Sequence, residues 1–131
     1  PDSENTSIGK VAIGVVEGDT HDIGKNLVRI MMETGGFEVN DLGRDVPLDA
    51  FVDYVRDNDV DILCMSSLMT TTMPGMGTVI EKLTEAGLRS KVKIMIGGAP
   101  VSPAFARKIG ADGYTNSAIE AVEFAKSLVG A

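Results

Sequence analysis

At 131 residues, with 44% hydrophobic side chains and a mean hydropathy of +0.11, the chain is long enough to bury one core and too short for a second domain. Twelve basic residues stand against nineteen acidic ones, net −7, with no cluster of Lys and Arg interleaved with aromatics, which argues against a nucleic-acid partner. No apolar run approaches the roughly 18 residues of a membrane span, and the lone Cys64 can form no internal disulfide, which points to a reducing compartment, the cytoplasm.

Residues 1–7, PDSENTS, are polar and aperiodic and read as a linker cut from something longer, leaving 8–131 as the domain. VAIGVV, Val11 to Val16, is a β-branched run that predicts a first strand. The stretch after Gly24 puts Leu27, Ile30 and Met31 at helical spacing, with Gly35-Gly36 as the stop. FEVNDLG predicts a strand, LDAFVDYVRDN a helix, VDILCMS a strand, and the segment from about Gly75 to Ala86 a helix. KVKIMIGG is a fourth strand. SPAFARKIG predicts a short helix from near Pro103 and DGYT a weak last strand. SAIEAVEFAKSLVG closes as an amphipathic helix with Ile119, Val122, Phe124 and Leu128 inward. Alternation of this kind, with near-continuous apolar strands, predicts an α/β fold: a Rossmann-like (flavodoxin-like), doubly wound five-stranded parallel sheet with helices on both faces.

In such sheets ligands bind beyond the carboxyl ends of the strands, where the strand order reverses. Three segments of unusual composition leave those ends: GDTHDIG after the first strand, SSLMTTTMPGMG after the third, and GGAPVSP after the fourth. The first holds the only histidine in the chain. It is not a phosphate loop, because the glycine slot of that motif is Asp19, which repels phosphate, and the hydroxyl slot is Asn26. The plain reading is that His21 and Asp22 cap the helix, with Asp22 placed against its dipole. The neighbourhood offers more. Asp19 can accept the proton of one imidazole nitrogen and leave the other free as an oriented ligand or base, and the helix N-terminus favours the neutral ring. A protein zinc site needs three or four ligands. With one histidine and a distant cysteine, a metal here would have to bring its own macrocycle, haem or a corrin.

The elements D-x-H-x-x-G (Asp19-Thr20-His21-Asp22-Ile23-Gly24), S-x-L (Ser66-Ser67-Leu68) and G-G (Gly97-Gly98), in this order and on these three loops, resemble the signature of cobalamin-binding domains. That family serves corrinoid methyltransferases, methionine synthase and adenosylcobalamin-dependent mutases. The resemblance runs from Ile8 over nearly the whole chain. It implies cobalamin, or another cobamide, bound base-off with its tail buried in a long pocket and His21 as the lower cobalt ligand. It also implies that Asp19 receives the His21 proton and that a third-loop hydroxyl continues the relay, Thr72 by choice and Thr70 second. Asp19, His21 and Thr72 are then the catalytic group. Asp19, Thr20, His21, Asp22, Ile23, Gly24, Ser66, Leu68, Thr70, Thr72, Gly97, Gly98 and Tyr114 contact the cofactor, with Asn116 near the tail. Proton uptake by the relay on cobalt reduction is a further expectation.

GDTHDIGKN and SSLMTTTM look like the methyl carriers of methanol, methylamine, betaine and aryl-ether systems. Such a carrier meets a substrate-specific methyltransferase and an acceptor methyltransferase, which passes the group to tetrahydrofolate or a thiol. By itself the domain is a carrier subunit more than an enzyme. A helical bundle normally precedes it, for which 131 residues leave no room. The alternatives are a mutase small subunit and a noncatalytic cobalamin-dependent regulatory module. A receiver domain would need a carboxylate where Ser66 and Ser67 stand. Cys64 reads as a buried small hydrophobe, Met65, Met69, Met73 and Met76 as core and pocket wall with Met69 and Met73 near the corrin edge, and Lys25 as facing solvent or pairing with an acid.

Overall fold

A computed structural model describes residues 7–130; the linker expected over 1–7 lies outside them except for Ser7. The elements are β1 (Lys10–Val16), α1 (Ile23–Thr34), β2 (Glu38–Val46), α2 (Leu48–Asp57), β3 (Ile62–Ser66), α3 (Pro74–Glu85), a 3-10 turn (Arg89–Lys91), β4 (Lys93–Gly97), α4 (Pro103–Ile109), β5 (Gly113–Tyr114) and α5 (Ala118–Val129). All pairings are parallel and the strand order is β2-β1-β3-β4-β5, the doubly wound arrangement expected. β1 and β3 lie side by side, so the order reverses there and a crevice opens beyond their carboxyl ends.

The helix boundaries follow from their end residues. Ser102 and Ser117 cap α4 and α5 by accepting from the backbone N–H of Phe105 and Glu120, each at 3.1 Å. Gly110 and Gly130 end the same helices in the left-handed conformation, with φ of 83° and 77°. β2 runs further than FEVNDLG suggests. Register shifts beside Ile13, Gly14 and Val16, with Gly43 at φ 101°, absorb the extra residues and return Val46 to the ladder opposite Val16.

The core has two sides. Phe51, Val55, Val79, Leu83, Leu63 and Ile94 pack between the sheet and α2, α3 and α4. Ile13, Met32, Ile62, Cys64, Met95, Val122 and Ala125 pack between the opposite face and α1 and α5. Two expectations about helix faces are corrected. In α5 the inward stripe is Ala121, Val122 and Ala125, with Phe124 and Leu128 half-buried, while Ile119 sits near the mouth of the helix and is 66% exposed. In α1 the buried side chains are Lys25 and Met32, seven residues apart and so on one stripe, while Leu27 and Ile30 are 54% and 49% exposed.

Of the two alternatives for Lys25, pairing with an acid holds and facing solvent does not. Its ammonium, buried with the rest of its side chain, donates to both oxygens of Asp41 on β2 at 2.8 and 2.7 Å. Asp41 is itself part-exposed, but removing it leaves the buried ammonium uncompensated. Asp41→Ala is therefore expected to cost about 3 kcal/mol in stability, and Lys25→Met with Asp41→Leu together should recover most of it; thermal melts of the three proteins check this.

Candidate functional site

Beyond β1 the chain turns at Gly18, whose φ of 92° suits glycine, and drives the Asp19 side chain into the interior, where it is fully buried. Its Oδ1 accepts from the backbone N–H of His21 at 2.9 Å and faces His21 Nδ1 at 2.7 Å. Its Oδ2 accepts from the backbone N–H of Leu68 at 2.7 Å and from the Thr72 hydroxyl at 3.4 Å. Burial alone would raise the Asp19 pKa, but the backbone donors of His21 and Leu68, with the His21 ring, together hold it below the ordinary carboxylate value. An ionised Asp19 fixes the His21 proton on Nδ1. The ring, 55% exposed, presents Nε2 outward, and no described residue hydrogen-bonds that nitrogen.

Behind Asp19 lies a hydroxyl pair. Ser67 Oγ is 2.9 Å from Thr72 Oγ1, and both reach the carbonyl of Met69, at 3.0 and 3.2 Å. Two hydroxyl protons thus serve four acceptor atoms, Asp19 Oδ2, the Met69 carbonyl and the two hydroxyl oxygens themselves, so the pair can shift its donation without breaking. Thr72, expected to continue the relay, has its hydroxyl 3.4 Å from Asp19 Oδ2. Thr70 is exposed and outside the network. Ser67, fully buried, was not anticipated as a site residue: strand alternation sends Ser66 to the α1/α5 face and Ser67 away from it, and that alternation was the available signal.

A cavity of about 610 Å³ opens beside this network between α1 and α5. Gly24, Ser66, Leu68, Gly97, Gly98 and Tyr114, predicted from three separate loops and β5, all line it, as does Asn116. Leu68 joins the two parts, since its backbone holds Asp19 while its side chain lines the cavity. Val28, Thr115, Ser117 and Ala121 also line it, as does Leu27, expected on the core stripe of α1. Thr20, Asp22 and Ile23 do not line the cavity. Asp22 holds the N-cap position of α1 with no side-chain capping bond and stands 3.9 Å from Arg44, so the plain capping reading fails. Ile23 is 84% exposed near the histidine. Of the methionines, Met65 lines the cavity, Met76 is buried in the opposite core, and Met73 packs against that core.

Cys64 is buried as expected, at the base of the cavity, and desolvation pushes its thiol up to about 12. A raised thiol pKa contributes stability below the unfolded value of about 8.5. That contribution is lost as pH rises from there towards the folded value, because only the unfolded chain ionises. Alkylation of Cys64 by iodoacetamide at pH 8 is expected to be at least tenfold slower in the folded chain than in urea.

The cavity volume suits a bulky ligand. A Cβ on Gly24 would meet nothing within 4 Å, so the helix start is open, whereas one on Gly97 would come 3.0 Å from the Thr115 carbonyl, because β4 packs closely on the segment after β5. No group of three or more His, Cys, Asp or Glu among the described residues could hold a metal, so an ion at His21 Nε2 must arrive with other ligands of its own. No helix among them is long and apolar enough to cross a membrane.

Comparison with known proteins agrees with this geometry. The family described as the B12 binding domain matches residues 9–123. The chain is 52% identical over 127 residues to dimethylamine corrinoid protein 3 of Methanosarcina mazei, covering 97% of this chain and 76% of that protein. The structure of the monomethylamine corrinoid protein of Methanosarcina barkeri superposes with a TM-score of 0.88 at 40% identity, over 98% of this chain and 62% of that one. The methanol:cobalamin methyltransferase complex of the same organism gives 0.88 at 35% identity, over 95% and 47%. The chain thus spans about 60% of the length of several relatives it matches. With its three signature loops gathered round one cavity and one outward-facing imidazole, the chain belongs to the B12-binding domain family, whose ligand is a cobamide.

Proposed function

We propose that this chain is the cobamide-binding unit of a methyl carrier, receiving its methyl group from a substrate-specific methyltransferase and delivering it through an acceptor methyltransferase to tetrahydrofolate or a thiol. The observation that carries the reading is His21, whose Nδ1 is held 2.7 Å from a buried carboxylate in a half-exposed ring, on a network joined through Leu68 to a cavity of about 610 Å³. The cofactor, when bound, supplies a cobalt that accepts and releases the methyl group. His21 would offer its Nε2 lone pair to the cobalt, and Asp19, by accepting from Nδ1, would fix the tautomer and the ring plane. Thr72, paired with Ser67, would adjust its donation to the Asp19 carboxylate behind the ring. Gly24, Ser66, Gly97, Gly98 and Tyr114 would hold the nucleotide tail, and Thr20, Asp22, Ile23, Leu68 and Thr70 would border the corrin. Names of relatives at about half identity favour a methyl carrier over a mutase subunit or a regulatory module. A cytoplasmic site of action belongs to the same proposal.

Because the chain has a single histidine, nitrogen-15 histidine labelling reports on His21 alone. Electron paramagnetic resonance of the Co(II) form should show axial-nitrogen splitting that changes with the label and vanishes in His21→Ala. A cofactor bound with its own base still attached to cobalt would overturn the reading.

A further inference from the structure

The cavity lining is graded along the strands. Parallel pairing sets Val15, Ser66 and Gly97 in one row at the strand ends and Ile13, Cys64 and Met95 in the row two residues earlier, about 7 Å deeper. Side chains two apart share a face, so both rows look towards α1 and α5. The polar lining belongs to the outer level: Ser66 at the end of β3, and Thr115, Asn116 and Ser117 after β5. The inner row offers an isoleucine, a thiol and a thioether, closed over by Val28 and Ala121. A thiol is a weak donor and a thioether a weak acceptor. The strand backbone at this level is committed to the sheet ladder, and the Lys25 ammonium is engaged by both oxygens of Asp41. A polar atom pushed down to the inner row would lose water and find no strong partner.

We infer that this cavity selects among cobamides by the polarity of the lower base, accepting benzimidazole-type bases and discriminating against purines, with Cys64 and Met95 setting the preference. The inference rests on the reading that a cobamide tail enters the cavity. Adenine places two ring nitrogens where the benzimidazole ring carries carbon and adds an exocyclic amine on a ring carbon, and these are the atoms the inner row cannot satisfy. Apolar sites separate such near-isosteres by on the order of 10- to 100-fold.

The test is equilibrium dialysis of the full chain against three ligands: cobalamin, the adenine-bearing cobamide, and cobinamide, which lacks the nucleotide. Wild type, Cys64→Ser and Met95→Gln are compared, with circular dichroism melts reporting their folding. Cobalamin should bind at least tenfold tighter than the adenine form in the wild type. Either variant, by adding a donor or acceptor at the inner row, should narrow that ratio severalfold, and cobinamide should bind more weakly than cobalamin. Equal affinity for the two complete cobamides in the wild type overturns the selectivity while leaving the cofactor reading intact, and needs no variant to fold. A ratio unchanged in both folded variants removes Cys64 and Met95 from the role. Cobinamide binding as tightly as cobalamin overturns the premise that the tail uses this cavity. If none of the three binds, the cofactor reading itself fails.

Discussion

Gly98→Ala is expected to cost about 4 kcal/mol or more and to lower the melting temperature by roughly 15 °C. A Cβ at this position would sit 1.8 Å from the carbonyl oxygen of Ser67 and 2.8 Å from its carbon, so the clash is with backbone and not with a side chain that could swing away. The φ of 125° adds strain of its own for any L-residue with a side chain. Gly24 is the informative contrast. It lies in the first turn of α1, has ordinary φ, and a Cβ there meets nothing within 4 Å, so Gly24→Ala should leave stability unchanged or raise it by about 0.5 kcal/mol. Both glycines line the same cavity, yet one holds β4 against the third-strand loop and the other keeps the helix start open. Paired melts by circular dichroism separate the two roles, and a Gly98→Ala protein melting within a few degrees of wild type would sink the close-packing account.

Much of this could be read from the sequence because the determining signals are local. The apolar runs of β1, β3 and β4, the serine caps of α4 and α5, and the Asp19-x-His21 spacing act within a few residues of where they are written. What escaped depends on partners brought from afar. Leu27 and Ile30 have the spacing of a core stripe, but in α1 that flank borders the cavity and solvent, and apolar periodicity does not distinguish a core from a ligand's wall. The pairing of Lys25 with an acid was legible, but not that its partner is Asp41 on β2, sixteen residues on, nor that the ammonium is buried there. The extension of β2 rests on a bulge, and bulges have weak sequence signals. The hold on Asp19 by the backbone N–H of Leu68 has no side-chain signature at all, since any residue but proline supplies that donor. The inner row of Ile13, Cys64 and Met95 became visible only once the register of three strands was known.

Asp19→Ala is the substitution expected to affect binding most, because one buried carboxylate organises both the histidine and the third-strand loop. Truncation removes the acceptor for the backbone donors of His21 and Leu68, for the His21 ring and for the Thr72 hydroxyl. An abandoned buried donor costs about 1–3 kcal/mol, and water reaches some of these groups beside the half-exposed ring, so a total near 3 kcal/mol is expected. Asp19→Asn should be milder in stability: its carbonyl can still accept from both His21 donors, but its amide then points N–H at the N–H of Leu68. The ring tells the rest. In the free protein a nitrogen-15 spectrum of the sole histidine should show one tautomer, protonated at Nδ1, and Asp19→Ala should give a mixture. Affinity for the cobamide should fall by roughly 10- to 100-fold, the usual effect of losing the group behind a metal-binding imidazole. A double-mutant cycle with His21→Ala divides the two effects. Stability lost through Leu68 and Thr72 persists when the ring is already gone, whereas the affinity lost through ring orientation disappears. If Asp19→Ala weakens binding equally in both backgrounds, the carboxylate acts by holding the loop in place, and its contact with Nδ1 contributes nothing to the ligand.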